Sequence, residues 1–124
     1  MKPRRMLVID DKQEILAGLK TYFSTKSFEV FSALHGLEGL KLLEAEAGNF
    51  DIVITDIVMP NVSGIGIIAI MKNRYPDIPV IAITGMGEHP EALAREANAD
   101  LVVDKPFDLA VLEKKIEALL EKTR

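Results

Sequence analysis

Three acidic residues of this sequence directly follow short apolar segments. Asp10 and Asp11 come after the apolar residues 6–9, and Asp56 comes after the segment 52–55. A carboxylate at the end of a buried strand is costly unless it has a partner or a chemical task, because an unpaired charge loses its hydration there. We therefore expect Asp56 to be paired with other groups or to take part in chemistry.

Apolar runs alternate with segments of helical periodicity along the chain. The predicted strands are 5–9, 28–33, 51–55, 79–84 and 100–104, and the predicted helices are 12–25, 36–47, 64–74, 88–97 and 108–122. Near-continuous apolar strands are typical of a parallel sheet that is covered on both faces. Five strand–helix units with right-handed crossovers predict an α/β fold, a doubly wound parallel sheet in a three-layer sandwich.

The carboxyl ends of parallel strands lie at one edge of the sheet, where α/β proteins bind their ligands. Asp10 and Asp11 lie at the end of the first predicted strand, and Asp56 lies at the end of the third. Thr84 ends the fourth, and Lys105 follows the fifth. The topology therefore brings three carboxylates, a hydroxyl and an ammonium group to one edge.

This set of groups suits phosphoryl transfer. Three neighbouring carboxylates repel one another, and a hard divalent cation such as Mg²⁺ relieves that repulsion. A carboxylate is also a nucleophile towards phosphorus, which makes Asp56 the candidate acceptor. Lys105 would bind a phosphoryl oxygen, and Thr84 could donate a hydrogen bond to the attached group.

Each of these residues has a plainer interpretation when it is taken alone. An acid after a strand often forms a turn or caps a helix, so Asp11 could cap the first helix. Thr84 could be a β-branched strand residue, and Lys105 could pair with Asp104 or Asp56. Their joint placement at predicted strand ends favours a shared site.

The ordered motifs resemble the receiver domain of two-component response regulators. They are Asp10-Asp11, Asp56 with Met59-Pro60, Gly64, Thr84-Gly85 and Lys105-Pro106-Phe107. The resemblance runs from about residue 5 to residue 122, so we expect a single receiver domain over 1–124. It implies a flavodoxin-like (βα)5 fold with strand order 2-1-3-4-5. Because the chain ends with the fifth predicted helix, it resembles a stand-alone receiver, although a fragment of a longer regulator would look the same.

The resemblance also implies a metal site and a phosphoacceptor. Asp56 would accept the phosphoryl group, and the cofactor would be Mg²⁺. Asp11 and Asp56 would ligate the ion directly, Asp10 would act mainly through water, and the backbone carbonyl of Val58 would complete the protein ligands.

The same resemblance implies the remaining roles and the partners. Thr84 would be the switch hydroxyl, Lys105 the phosphate-binding ammonium, and Pro106 would follow a cis peptide bond. The donor would be a phosphohistidine on a sensor histidine kinase or a phosphotransfer protein, and output would go to a downstream protein target. The chain would not be a turnover enzyme, although it would assist its own phosphorylation and dephosphorylation.

Four positions depart from the family pattern. Val102 replaces the usual aromatic residue, which leaves no ring to swing when the site switches. Asp104 stands where an apolar residue is usual; it could pair with Lys105 or face solvent, and solvent is favoured. Val58 and Met86 are apolar beside the expected path of the hydrolytic water, which predicts slow autodephosphorylation.

Composition excludes several other classes. The formal charge of −4 argues against direct binding of nucleic acid, and the absence of cysteine excludes thiolate metal sites. No apolar run approaches the roughly 20 residues of a membrane span, and no export signal is evident, so the cytoplasm is the expected compartment.

Three other functions fit part of the same pattern. One is a receiver-fold binding module that acts largely without phosphorylation, as Val102 and Asp104 suggest. An aspartate-dependent phosphatase usually has a second Asp where this chain has Val58. A flavodoxin-like redox protein is disfavoured because Asp10 and Asp11 would repel a flavin phosphate.

Overall fold

The computed structural model describes residues 2–85, 94–95 and 98–122. The strands are β1 (Arg4–Ile9), β2 (Phe28–Ala33), β3 (Ile52–Asp56), β4 (Val80–Thr84) and β5 (Leu101–Asp104). The helices are α1 (Gln13–Ser24), α2 (Gly36–Ala45), α3 (Gly64–Arg74) and a C-terminal helix (Leu109–Lys122).

The five strands form one sheet in the order β2-β1-β3-β4-β5, and every neighbouring pair is parallel. The predicted fold class and strand order are therefore confirmed. The register pairs Asp56 with Ile83 and Thr84 with Asp104. The carboxyl ends of β3, β4 and β5 consequently lie side by side.

The two faces of the sheet carry separate apolar cores. Alternate residues of a strand point to opposite faces, so Met6 and Val8 enter one core and Leu7 and Ile9 enter the other. The first core contains the buried residues of α1 and the C-terminal helix, namely Leu16, Leu19, Phe23, Leu112, Ile116 and Leu120. The second contains Leu43 of α2 and Ile67, Ile68 and Met71 of α3. This gives the three layers that the sequence predicts.

The structure also sets the bounds of single elements. β3 ends at Asp56, so this carboxylate lies at the end of the strand, as predicted. In α3, Ile67 is fully buried and Ile65 is only half-buried, so Ile67 rather than Ile65 faces the sheet. The predicted fourth helix, 88–97, lies outside the described residues except for Ala94 and Arg95.

The start of α3 is fixed against the end of β3. Ser63 caps the helix by accepting a hydrogen bond from the Gly66 N–H at 3.4 Å. The Gly64 N–H donates to the Ile57 carbonyl at 2.9 Å. A Cβ added at Gly64 would lie 2.1 Å from the Asp56 carbonyl oxygen, so only glycine lets the helix approach this strand end.

We predict opposite effects for two alanine substitutions in the first turn of α3. Gly64→Ala should lower the free energy of unfolding by about 2–3 kcal/mol, because rigid backbone must move to admit the methyl group. Gly66→Ala is the matched control, since nothing lies within 4 Å of its added Cβ, and it should be neutral or stabilising by up to about 1 kcal/mol. Urea unfolding of both variants measures this. Equal midpoints for the two variants would contradict the proposed close approach.

Candidate functional site

Three carboxylates meet at the carboxyl edge of the sheet. Asp10 follows β1 and is fully buried, and Asp56 ends β3 with 3% of its surface exposed. Asp11 is more open, with 31% of its side chain exposed. One carboxylate oxygen from each residue lies within 4.8 Å of the other two. The structure thus brings together the three acids that the sequence predicts for one cluster.

Lys105 supplies the positive charge of this cluster. Its Nζ atom lies 3.0 Å from Asp10 Oδ2 and 3.6 Å from Asp56 Oδ2, and 15% of its side chain is exposed. Its backbone N–H donates to the Thr84 carbonyl at 2.8 Å, which ties the start of the loop after β5 to the end of β4. The Lys105–Pro106 peptide bond is cis, in agreement with the expectation from the family resemblance.

Burial and the neighbouring negative charge destabilise the ionised form of Asp56. Together they raise the pKa of its carboxyl group from 3.8 to about 6, with loss of hydration as the largest cause and the Asp10 charge next. The positive charges of Lys105 and Lys12 act in the opposite direction and only partly offset the rise. An additional cation beside Asp56 would therefore favour its ionised form.

The two carboxylate oxygens of Asp10 have different surroundings. Its Oδ1 atom accepts a hydrogen bond from the Lys12 N–H at 2.9 Å. Its Oδ2 atom is buried without a hydrogen bond of acceptable geometry, although Lys105 Nζ is within ion-pair distance. An under-satisfied buried carboxylate oxygen beside two more carboxylates is a donor set that suits a hard divalent cation.

Asp11 and Asp56 open onto a cleft of about 500 Å³. Its lining residues are Asp11, Lys12, Asp56, Val58, Met59, Pro60, Gly85 and Lys105. Val58 stands at the mouth with 49% of its surface exposed. The cleft gives a small anionic group access to Asp56 and Lys105 from solvent.

The hydroxyl of Thr84 contacts Asp104 rather than the acidic cluster. Like Asp10, Thr84 is fully buried and does not line the cleft. Its Oγ1 atom lies 2.7 Å from Asp104 Oδ1 and donates a hydrogen bond to that carboxylate. Asp104 is exposed, as favoured from the sequence, and its hydrogen bond to Thr84 is an additional contact that the sequence does not predict. The feature of the sequence that points to this bond is that Thr84 and Asp104 end two consecutive predicted strands.

Other sequence predictions at this edge have mixed outcomes. Asp11 does not cap α1, because the N-cap residue is Lys12 and no side-chain hydrogen bond closes that end. Asp108 caps the C-terminal helix, since its Oδ1 accepts a hydrogen bond from the Val111 N–H at 3.1 Å. Val102 is half-buried and packs against the second core. Met86 lies outside the described residues.

No helix in the described part of the chain is both long enough and apolar enough to cross a membrane.

Comparison with known proteins points to one family. The response regulator receiver domain matches residues 6–117. The response regulator SaeR of Staphylococcus epidermidis is 39% identical over 103 residues, which cover 82% of this chain and 44% of that relative. SaeR of Staphylococcus aureus is 35% identical over 120 residues, or 96% of this chain and 51% of the relative. This chain thus spans about half the length of the curated relatives it matches.

Two solved structures share the architecture closely. A response regulator receiver domain protein from Clostridium thermocellum has a TM-score of 0.88 at 32% identity and covers 96% of this chain and 95% of that one. The response regulator TrrA from Thermotoga maritima, crystallised in complex with Mg²⁺-BeF, has a TM-score of 0.82 at 33% identity and covers 94% and 98% of the two chains.

The raised pKa of Asp56 predicts a pH-dependent cost to stability. Its folded-state pKa of about 6 lies above the value of 3.8 for a free carboxyl group. The native state therefore binds more protons between these pH values, and stability falls as pH rises through this window. Without metal, Asp56→Asn should be more stable than the wild type by up to about 3 kcal/mol above pH 7, and the difference should shrink towards pH 4.

Urea unfolding in EDTA between pH 4.5 and 8 measures this difference. Asp77→Asn, at an exposed aspartate, is the matched control and should track the wild type at every pH. If the free energies of unfolding of Asp56→Asn and the wild type differed by the same amount at every pH, ionisation of Asp56 would not cost stability and the prediction would be wrong.

Proposed function

We propose, because this chain belongs to the response regulator receiver domain family, that it accepts a phosphoryl group on Asp56 and signals through protein–protein contacts. The observation that carries this proposal is the surroundings of Asp56. It is a nearly buried carboxylate within 4.8 Å of oxygens of Asp10 and Asp11, with Lys105 Nζ at 3.6 Å, at the base of an open cleft.

The transfer itself needs one nucleophile on this chain. A carboxylate oxygen of Asp56 attacks the phosphorus of a phosphohistidine on the donor protein, and the phosphorus–nitrogen bond breaks. The electron pair of that bond leaves with the imidazole, and Asp56 becomes an acyl phosphate. Because Asp56 attacks as the carboxylate, its ionised form must be favoured when the donor docks.

The residues around Asp56 fit a magnesium site. Asp11 and Asp56 would hold Mg²⁺ directly, Asp10 would hold it mainly through water, and the Val58 carbonyl would complete the protein ligands. When bound, the ion supplies positive charge that neutralises the carboxylates and the transferring group. Asp10 positions Lys105 by an ion pair at 3.0 Å and supplies the buried oxygen that lacks a hydrogen bond.

Lys105 and Thr84 would act on the transferred group rather than on the metal. The ammonium of Lys105 already lies beside Asp56 Oδ2 and would bind a phosphoryl oxygen. The Thr84 hydroxyl would donate to another phosphoryl oxygen after it turns from Asp104. The exposed side chain of Val58 is apolar and offers no group of its own that could orient a water beside Asp56, which is consistent with slow loss of the phosphoryl group.

The partners follow from this chemistry. A sensor histidine kinase or a phosphotransfer protein would donate the phosphoryl group in the cytoplasm, and a downstream protein would recognise the phosphorylated form. The named relatives are response regulators, and TrrA was crystallised with Mg²⁺-BeF. These likenesses support the same class of chemistry here.

A second candidate is a receiver-fold binding module that works largely without phosphorylation. The observation in its favour is the Thr84–Asp104 hydrogen bond, which engages the switch hydroxyl in the absence of a phosphoryl group. It differs from the first candidate in one respect that can be measured, namely whether Asp56 accepts a phosphoryl group at all.

We predict that acetyl phosphate or phosphoramidate with Mg²⁺ adds about 80 Da to the intact protein, as expected for an acyl phosphate on a carboxylate nucleophile. Asp56→Ala should abolish the added mass, and omission of Mg²⁺ should greatly reduce it. Asp77→Ala removes an exposed aspartate instead and should leave it unchanged. Intact-mass spectrometry reads the result. A wild-type protein that gains no mass would favour the binding module.

A further inference from the structure

The Thr84–Asp104 contact joins the ends of two neighbouring strands. The register of β4 and β5 places Thr84 directly opposite Asp104, so their side chains lie on the same face of the sheet. The Lys105 N–H donates to the Thr84 carbonyl at 2.8 Å and fixes the two strand ends against each other. Thr84 Oγ1 donates a hydrogen bond to Asp104 Oδ1 at 2.7 Å, and this bond is short because its acceptor is charged.

Thr84 lies on β4, between two strands whose side chains could each accept a hydrogen bond from its hydroxyl. β4 lies between β3, which carries Asp56, and β5, which carries Asp104. Asp56 is paired with Ile83, the residue just before Thr84. A threonine hydroxyl has one proton to donate. Here that proton goes towards β5, away from the strand that carries the candidate phosphoacceptor.

We propose that Asp104 is a positioning residue that retains the Thr84 hydroxyl in the resting state and so competes with a phosphoryl group on Asp56. This inference rests on the proposed function of Asp56. An anion on Asp56 gains the hydrogen bond of Thr84 only after the bond to Asp104 has broken. Asp104 therefore weakens the coupling between the occupied site and Thr84, and it sets how much of the protein switches when the site is filled.

A purely structural role for Asp104 makes a different prediction. Buried hydroxyls need a partner, and Asp104 could serve only to satisfy Thr84. In that case its removal would lower the stability of the fold and would not strengthen binding at Asp56. Competition predicts that the same substitution lowers the stability of the empty protein and tightens the binding of a phosphoryl analogue.

The experiment is a double-mutant cycle on the binding of beryllofluoride, a phosphoryl analogue, in the presence of Mg²⁺. The variants are Asp104→Val, Asp104→Asn, Thr84→Val and the double variant Asp104→Val with Thr84→Val. Asp104→Val should tighten beryllofluoride binding about three- to tenfold, the value of one released hydrogen bond. Asp104→Asn, which keeps an acceptor without the charge, should give a smaller gain in the same direction.

The Thr84→Val background separates competition from simple charge removal. Loss of the Asp104 charge would favour any anion in the cleft whether or not Thr84 has a hydroxyl. Competition requires that the gain from Asp104→Val disappears when Thr84 is valine. A gain of equal size in both backgrounds would overturn the proposal, and so would binding unchanged by Asp104→Val.

A second readout uses the empty protein. In the absence of Mg²⁺ and beryllofluoride, the methyl resonance of Thr84 in Asp104→Val should move from its wild-type position, because the hydroxyl has lost its acceptor. An unmoved resonance would overturn the proposal. If the wild type does not bind beryllofluoride at all, the proposed function fails and the inference fails with it; if it binds and the cycle shows no coupling, only the role of Asp104 fails.

Discussion

The central physical constraint in this protein is the burial of negative charge at one edge of a parallel sheet. Asp10 and Asp56 are almost completely removed from solvent, and the only described cation within ion-pair distance of either side chain is Lys105. One ammonium does not balance two buried carboxylates and the adjacent Asp11. Loss of hydration on burial, together with this imbalance of charge, raises the pKa of Asp56.

The rigid surroundings of this sheet edge keep the carboxylates close together despite their repulsion. Both faces of β1 and β3 are buried in apolar cores, so the strand ends have little freedom to move apart and relieve the repulsion. The close approach of Gly64 to the Asp56 backbone also holds the end of β3 in place. The remaining way to relieve the repulsion is a cation or proton from solution, which is why a charge-neutralising ligand suits the site.

The sequence predicts the fold and the membership of this cluster well, for a simple reason. Asp10, Asp56 and Lys105 are placed by strand ends, and the ends of apolar strands are evident without a structure. The buried face of α3 is not evident from the sequence, because its isoleucines occur on every side of the helix and periodicity therefore does not define one face. The Thr84–Asp104 bond was missed because it depends on the register between β4 and β5 and on a side-chain rotamer, and neither is encoded in local composition.

The most direct test of the account is the binding of Mg²⁺ to the unphosphorylated protein by isothermal titration calorimetry. The account predicts that the wild type and Asp77→Asn bind one ion with the same affinity, and that Asp11→Asn, which removes a carboxylate without disturbing a buried residue, binds at least about tenfold more weakly. An Asp11→Asn variant with wild-type affinity, or a wild type that does not bind Mg²⁺, would contradict the claim that these carboxylates form a cation site.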